Sequence, residues 1–420
     1  MQNTVDLRKA LATLLLLLCT PAARAADPVI AAAGDIACDP NDANYNGGNG
    51  TPAGCRMRAT SDLLTGGGWD AVLLLGDNQY TDGALWKYRA SFAPTWGRLG
   101  PLLRPAAGNH EYITPGAAGY FDYFGAAAGE RGEGYYSFDL GTWHIVVLNS
   151  NCSDVNGCGH GSLQLRWLER DLAAHPRACT LAYWHHPRFS SGQHGDDARS
   201  DPFWQALYRA GADLVLVGHE HDYERFAPQD PSGKADPEHG IRQLIVGTGG
   251  QVLRPFRATL RPNSEARNAT DWGVLKLVLR PDGYDWEFLP VAGGLFKDSG
   301  RSGCHNAPDT TVLPLQQGRF LAEVTWRDHD GNTGRGKAAA PAADGSGLFW
   351  FFQKDNWELQ VKMIDGCALN GHHWVYSAAT TDVEYALTVT DTRTGRKVRY
   401  ENPLGRRSPA VTDSAAFECP

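Results

Sequence analysis

Five times between Asp35 and His221 a cluster of polar, chemistry-bearing residues stands just behind a short apolar run: Gly34-Asp35, Gly76-Asp77-Asn78-Gln79-Tyr80, Gly108-Asn109-His110-Glu111, His185-His186-Pro187 and Gly218-His219-Glu220-His221. Short apolar runs alternating with amphipathic stretches are the pattern of buried strands linked through helices, and open α/β sheets gather ligands at their strand ends. The runs at 29–33, 71–75, 144–148, 180–184, 214–217 and 244–246 are rich in residues suited to buried strands. Residues 163–174 behind a Ser162 cap, and 203–209 behind Asp201-Pro202, read as helices. Segments 272–279 and 284–291, joined by Pro281-Asp282-Gly283, read as a hairpin closing this α/β region.

At 420 residues the chain exceeds one ordinary core, so two domains are expected. Residues 27–295 form the α/β domain, 296–314 a linker, and 315–420 a small all-β sandwich with alternating runs at 319–326, 348–353, 357–363, 373–376 and 384–389. Residues 338–347 read as a small-residue loop. At the start, Arg8 and Lys9 precede the apolar run 11–18 and the small-residue pattern Ala23-Arg24-Ala25, which reads as a signal peptide over 1–26 and a secreted or periplasmic protein. That run is too short for a membrane span, which needs about 20 residues. Bulky Leu18 before Cys19 disfavours a lipid anchor there.

Beyond the leader, eight cysteines form an even set suited to an oxidising compartment. Proximity and domain membership suggest Cys38–Cys55, Cys152–Cys158 and Cys367–Cys419, although spacing does not fix connectivity. The formal net charge of −8 comes with no basic block, which excludes a broad footprint for nucleic acid or anionic membrane and points to a small substrate.

Singly, the clusters have plain explanations: Gly-Asp as a turn or helix cap, Asn109-His110 as an Asx turn, His185 and His186 as a hydrogen-bonded pair. Gly218-His-Glu-His221 is sharper, because histidines two apart point the same way in an extended segment. Jointly, the five supply hard oxygen donors, imidazoles and a carboxylate able to bridge, with glycines that allow close approach.

In this order the clusters resemble the five blocks of the metallophosphoesterase superfamily, and in detail its purple acid phosphatase branch. Tyr80, three residues after Asp77, and Gly218-His-Glu-His-Asp-Tyr-Glu-Arg225 carry the narrower likeness. The resemblance covers roughly 29–250 and implies a metallophosphoesterase-type α/β sandwich, with two mixed sheets flanked by helices. It implies two metal ions. Fe(III) would be held by Asp35, Asp77, Tyr80 and His221, and Zn, Fe(II) or Mn by Asp77, Asn109, His185 and His219, with Asp77 bridging. A phenolate and carboxylates suit the harder trivalent ion, and imidazoles and an amide suit the divalent one. Choosing His185 over His186 follows the His-x-Pro spacing.

The implied reaction is hydrolysis of a small phosphate monoester by a hydroxide formed on the metals, with His110 and His194 as catalytic groups. His194 is equally readable as an exposed loop histidine, and the second histidine that the family often carries after it is Gly195 here. Arg188, Asp196 and Asp197 are nearby charged candidates. A phosphodiesterase or nucleotidase on the same metals is the alternative, and a non-catalytic surface binding protein is a further one. The region 315–419 resembles a domain appended to diverse exported bacterial proteins, through Val324-Thr-Trp-Arg327 and Lys362-Met-Ile-Asp-Gly-Cys367, a likeness that does not establish its role and leaves surface or self-association open. His372-His373 are expected as turn histidines, His144 as a satisfied interior histidine, and Glu224-Arg225 as an ion pair. The Gly247-Thr-Gly-Gly250 turn is expected to approach the site by backbone, and Trp69, Trp86, Trp96, Trp143 and Trp167 are expected in packing.

Overall fold

The computed structural model describes residues 26–419 except 176, 306–310, 339–343 and 354–355, so all of the expected leader but Ala26 lies outside the described residues. The chain divides between Ser302 and Gly303 into two compact units. Among the described residues no helix is long and apolar enough to cross a membrane.

The first unit contains β1 (Val29–Ala33), β2 (Ala71–Leu75), β3 (Leu103–Ala106), β4 (Tyr136–Leu140), β5 (Trp143–Val147), β6 (Cys179–Tyr183) and β7 (Leu214–Val217). It continues with β8 (Tyr223–Phe226), β9 (Arg242–Val246), β10 (Ser264–Asn268), β11 (Gly273–Arg280), β12 (Gly283–Pro290) and β13 (Ser299–Gly303). They make a six-stranded sheet, β13-β12-β11-β1-β2-β3, and a seven-stranded sheet, β10-β8-β9-β7-β6-β5-β4. Both are mixed: β1-β2-β3 and β5-β6-β7-β9 pair in parallel, and their neighbours pair antiparallel. Parallel strands need both faces covered, and the side chains of β2, β5, β6, β7 and β9 are all buried.

The helix Leu163–Ala174 begins where Ser162 Oγ accepts Leu165 N at 3.1 Å, and it buries Leu165 and Leu168 against the second sheet. Its buried Gln164 holds the loop after β5 from both sides, accepting Asn149 N at 2.7 Å and donating to Asn149 O at 2.9 Å. That loop reaches the candidate site. The second helix spans Asp201–Arg209 and buries Phe203, Trp204 and Leu207.

The second unit comprises β14 (Val312–Leu315), β15 (Phe320–Arg327), β16 (Thr333–Arg335), β17 (Lys337–Ala338), β18 (Ser346–Trp350), β19 (Leu359–Gly366), β20 (His372–Ala379), β21 (Glu384–Asp391), β22 (Lys397–Asn402) and β23 (Val411–Glu418). Two five-stranded sheets, β14-β15-β21-β22 with β16 beside β15, and β17-β18-β19-β20-β23, share one apolar core. Burial alternates along β15, β19 and β20, as in a sandwich with one wet face per sheet. The fold is therefore a two-sheet α/β sandwich followed by an all-β sandwich.

Three expectations need correction. The segment 296–314 is not a bare linker: β13 extends the first sheet and β14 starts the second unit. The Ser-Gly-Arg-Ser-Gly side chains of β13 carry no strand signal, since backbone pairing makes it a strand. Glu224 and Arg225 do not pair, because neighbours on a strand face opposite ways. Glu224 accepts Ser191 N at 2.8 Å, whereas Arg225 Nε reaches Asp298 at 2.8 Å. Trp86 is 53% exposed, with Lys87 Nζ 5.5 Å from its ring centre, whereas Trp96 and Trp143 are fully buried.

The structure forms the disulfides Cys38–Cys55, Cys152–Cys158 and Cys367–Cys419, and Cys179 and Cys304 are disulfide-bonded too. His373 lies buried beside Cys367, with Arg319 Nη1 2.7 Å from its Nε2.

His144 is 1% exposed and spends both ring nitrogens on carboxylates, Asp139 at 2.9 Å and Asp171 at 2.8 Å. Burial opposes its charge, but Asp171 and Asp139 outweigh burial and raise its pKa above the ordinary 6.5. A group raised on folding stabilises fully below its unfolded pKa, and that contribution is lost as pH climbs through the folded value. The unfolding midpoint should therefore fall more steeply from about pH 6 upward in the wild type than in His144→Gln. Parallel pH profiles would contradict this role.

Candidate metal centre

Asp35, Asp77, Asn109, His185 and His219 follow β1, β2, β3, β6 and β7 respectively, all at the C-terminal ends of parallel strands. The two sheets meet there through backbone bonds: Gly34 N donates to Val246 O at 2.8 Å, and Gly249 N to Gly34 O at 3.0 Å. The Gly247-Thr-Gly-Gly250 turn thus approaches by backbone alone, as expected. Asp35, Asp77 and His219 adopt positive φ, at 58°, 48° and 71°. Such conformations cost about 1–3 kcal/mol each and persist where surrounding structure imposes them.

The Tyr80 hydroxyl is the meeting point of one group. It lies 2.9 Å from Asp35 Oδ1, 3.0 Å from Asp77 Oδ2 and 3.0 Å from His221 Nε2. His185 Nε2 is the meeting point of another, 3.2 Å from Asp77 Oδ2 and 3.2 Å from Asn109 Oδ1. One oxygen, Asp77 Oδ2, belongs to both. His219 completes the second group, since ligating atoms of His185, His186 and His219 all lie within 4.8 Å of one another. Asp35, Asp77 and His221 thus lie around the Tyr80 hydroxyl, and Asp77, Asn109 and His219 lie about His185.

Hydrogen bonding orients the imidazoles. His185 Nδ1 donates to Leu75 O at 2.8 Å and His221 Nδ1 to Val252 O at 2.8 Å, which aims each Nε2 into the cluster. His186 Nδ1 instead bonds Ser150 Oγ at 2.7 Å, on the loop held by Gln164. Of the two adjacent histidines, His185 is the one whose Nε2 reaches Asp77 Oδ2 and Asn109 Oδ1.

Burial pushes His219 well down and His221 down to about 3, leaving both neutral, the form that binds metal. It also raises Asp35 to about 8, whereas the neighbouring His185 outweighs burial at Asp77 and holds that carboxyl well below its usual range. Asp77 in turn overrides burial at His185 and lifts it to about 9. Two carboxyl groups this deeply buried cannot both ionise without compensating positive charge: His185 serves Asp77, and multivalent cations would serve both. The donor set of carboxylates, phenol, amide and imidazoles fits such ions.

Two groups that sequence alone did not mark hold the loops. Glu111, fully buried, accepts Asn78 N at 2.9 Å, the Tyr88 hydroxyl at 2.9 Å and Gly108 N at 2.7 Å, clamping the Asp77 loop to the Asn109 loop. Glu220, fully buried, accepts the backbone N of His194 and of Gly195, each at 2.8 Å, and lies 3.2 Å from His194 Nδ1. Both glutamates sit inside recognisable clusters, but apart from Gly108 their partners are remote in sequence.

His110 is half-buried. Its ring packs on Tyr80 at 4.2 Å, and its Nε2 lies 3.8 Å from Asp77 Oδ2. His194 is partly exposed and stacks on His219 with ring centres 4.3 Å apart. Both therefore border the cluster. A cavity of about 430 Å³ opens beside it, lined by Asn109, Tyr112, Ile113, Asn151, Arg199 and His219, large enough for a small organic phosphate. Arg188 and Asp197 form ion pairs with Asp201 and Arg199, and Asp196 pairs with Arg261, so these candidates are engaged with neighbours.

Residues 29–223 match the family described as calcineurin-like phosphoesterase. Over 192 residues the chain is 31% identical to purple acid phosphatase 23 of Arabidopsis thaliana, covering 39% of each. Over 240 residues it is 31% identical to purple acid phosphatase 21 of the same plant, covering 50% of this chain and 51% of that one. The chain thus spans about half or less of these relatives. The purple acid phosphatase PPD1 from yellow lupin (Lupinus luteus) seeds shares the fold, with a TM-score of 0.53 at 19% identity, covering 66% of this chain and 53% of that one.

Proposed function

We propose that the calcineurin-like phosphoesterase domain of this chain works as an exported, binuclear metal-dependent phosphatase on small phosphate monoesters. The observation that carries this reading is Asp77 Oδ2, which sits 3.0 Å from the Tyr80 hydroxyl and 3.2 Å from His185 Nε2 and so belongs to two donor sets. Asp35, Asp77, Tyr80 and His221 would hold Fe(III), and Asp77, Asn109, His185 and His219 would hold Zn, Fe(II) or Mn. Such a pair supplies Lewis acidity and a lowered pKa for water.

The protein's own groups do the rest. His110, beside Asp77 yet open to solvent on one side, donates a hydrogen bond to the phosphoryl group and a proton to the leaving oxygen. His194, fixed by Glu220, borders the phosphate from the opposite loop. Glu111 and Glu220 keep these groups in register, which matters because a displacement of about 1 Å can cost roughly 100-fold in rate. The paired cysteines support an exported protein.

A phosphodiesterase or nucleotidase would use the same centre. A surface-binding scaffold is disfavoured, because a retired site has no reason to keep two buried carboxylates among oriented imidazoles. Hydrolysis of p-nitrophenyl phosphate against its bis-ester separates these readings: monoester preference supports a phosphatase, diester preference the alternative, and inertness of metal-replete protein the scaffold. A ferric tyrosinate should colour the purified protein, and Tyr80→Phe should bleach it. Colourless iron-loaded protein would reject Fe(III) beside Tyr80 without touching the other ligands.

A further inference from the structure

Behind the Gly247-Thr-Gly-Gly250 turn, residues 251–261 run past the cluster. Gln251 N donates to Asp35 O at 2.9 Å and Arg254 N to His221 O at 3.0 Å. Three arginines on this segment all touch the 190–196 loop that carries His194. Arg257 donates through Nε and Nη2 to Gln193 O at 3.1 and 2.8 Å, and Arg261 Nη2 lies 3.3 Å from Asp196. Gly195, at φ +77°, leaves room for the Arg257 guanidinium: a Cβ there would lie 2.4 Å from Nη1.

Arg254 differs from its neighbours. It is half-buried, and its guanidinium faces no carboxylate within ion-pair distance among the described residues, only His194 Nε2, 3.1 Å from Nη1. A carboxylate accepts only, so His194 gives its Nδ1 proton to Glu220 and turns the Nε2 lone pair to Arg254. The guanidinium is thus a fixed positive charge on this side of the cluster. It stands one ring away from His219, the residue that links the cluster to the cavity.

The geometry points to Arg254 as a substrate-contacting residue that binds a phosphate oxygen on the His194 side and favours the dianionic phosphate of a monoester over the monoanion of a diester. This rests on the phosphatase reading. A guanidinium offers two parallel donors to a phosphate and keeps its charge at every working pH. A monoester presents it with one more charged oxygen than a diester does. The contact therefore sets specificity as well as rate.

The test uses the full, metal-loaded protein with Arg254→Gln, Arg254→Lys, His194→Ala and the Arg254→Gln/His194→Ala double variant. Arg254→Gln should lower kcat/KM for p-nitrophenyl phosphate by about 100-fold and lower that for the bis-ester several-fold less, so that the monoester-to-diester ratio falls. Arg254→Lys should recover part of the ratio. Protection against thermal unfolding by orthophosphate should weaken in Arg254→Gln, a readout that needs no turnover. If Arg254 merely braced His194, the double variant would be no worse than His194→Ala; that result, an unchanged ratio or unchanged orthophosphate protection would overturn the proposal. Wild-type protein that cleaves neither ester would instead sink the phosphatase reading, and orthophosphate protection would still report on Arg254.

Discussion

Asp77→Asn is expected to lower phosphate monoester turnover by at least about a thousandfold while leaving the protein folded. Asp77 Oδ2 is the atom shared by the Tyr80 and His185 groups, and Oδ1 accepts His110 N at 2.9 Å. Asparagine keeps the shape and one acceptor but removes the charge that two cations would share. Its amide would also set N–H groups against donors already in place. The unfolding midpoint should change little, because burying a carboxylate at 1% exposure is itself unfavourable. Steady-state kinetics, with metal content measured on the same sample, check this. Retention of more than about a tenth of the wild-type rate would mean that Asp77 does not bridge.

The second large effect should come from a single added methyl group. A Cβ at Gly108 would lie 2.2 Å from Asp77 Oδ1 and 2.3 Å from Asp77 N. Neither atom can withdraw. Asp77, just beyond β2, is held by Ile36 N on its carbonyl and by its contacts to Tyr80 and His185, and Gly108 N is tied to Glu111 at 2.7 Å. Gly108→Ala should therefore cost about 1–3 kcal/mol of stability or more and displace the shared carboxylate, with a loss of roughly 100-fold in rate. Denaturant unfolding and turnover measured together test both halves. Wild-type stability and rate in this variant would contradict the close approach of the two loops.

Much of the scaffold was legible because its signals were local. The runs behind Asp35, Asp77, His185 and His219 are strands, and the helix at Leu163–Ala174 starts at its Ser162 cap. The candidate donor residues were legible through the order of the clusters and the family resemblance that order carries. What escaped depends on pairing with distant chain. β3, Leu-Arg-Pro-Ala, is short and carries a proline, so only its parallel ladder with β2 makes it a strand. β13 is polar and glycine-rich and owes its form to β12.

Within the site, only the His-x-Pro spacing favoured His185 over His186 in the sequence. In the structure it is His185 whose Nε2 lies 3.2 Å from both Asp77 Oδ2 and Asn109 Oδ1. Glu111 and Glu220 were visible as members of clusters, but nothing local announced that each would close several backbone donors. Arg254 was invisible for a further reason. In a segment with Arg257 and Arg261 it reads as one more solvated charge, and only the fold brings it against His194 without a carboxylate of its own.

The most direct measurement of the central claim is anomalous scattering from crystals of the metal-loaded protein, collected at the absorption edges of iron and zinc. The account predicts two peaks about 3.5–4 Å apart on either side of the Asp77 carboxylate, one beside Tyr80 and His221, the other beside Asn109, His185 and His219. No peak in this cluster, or a lone ion with Asp77 turned away from it, would contradict it.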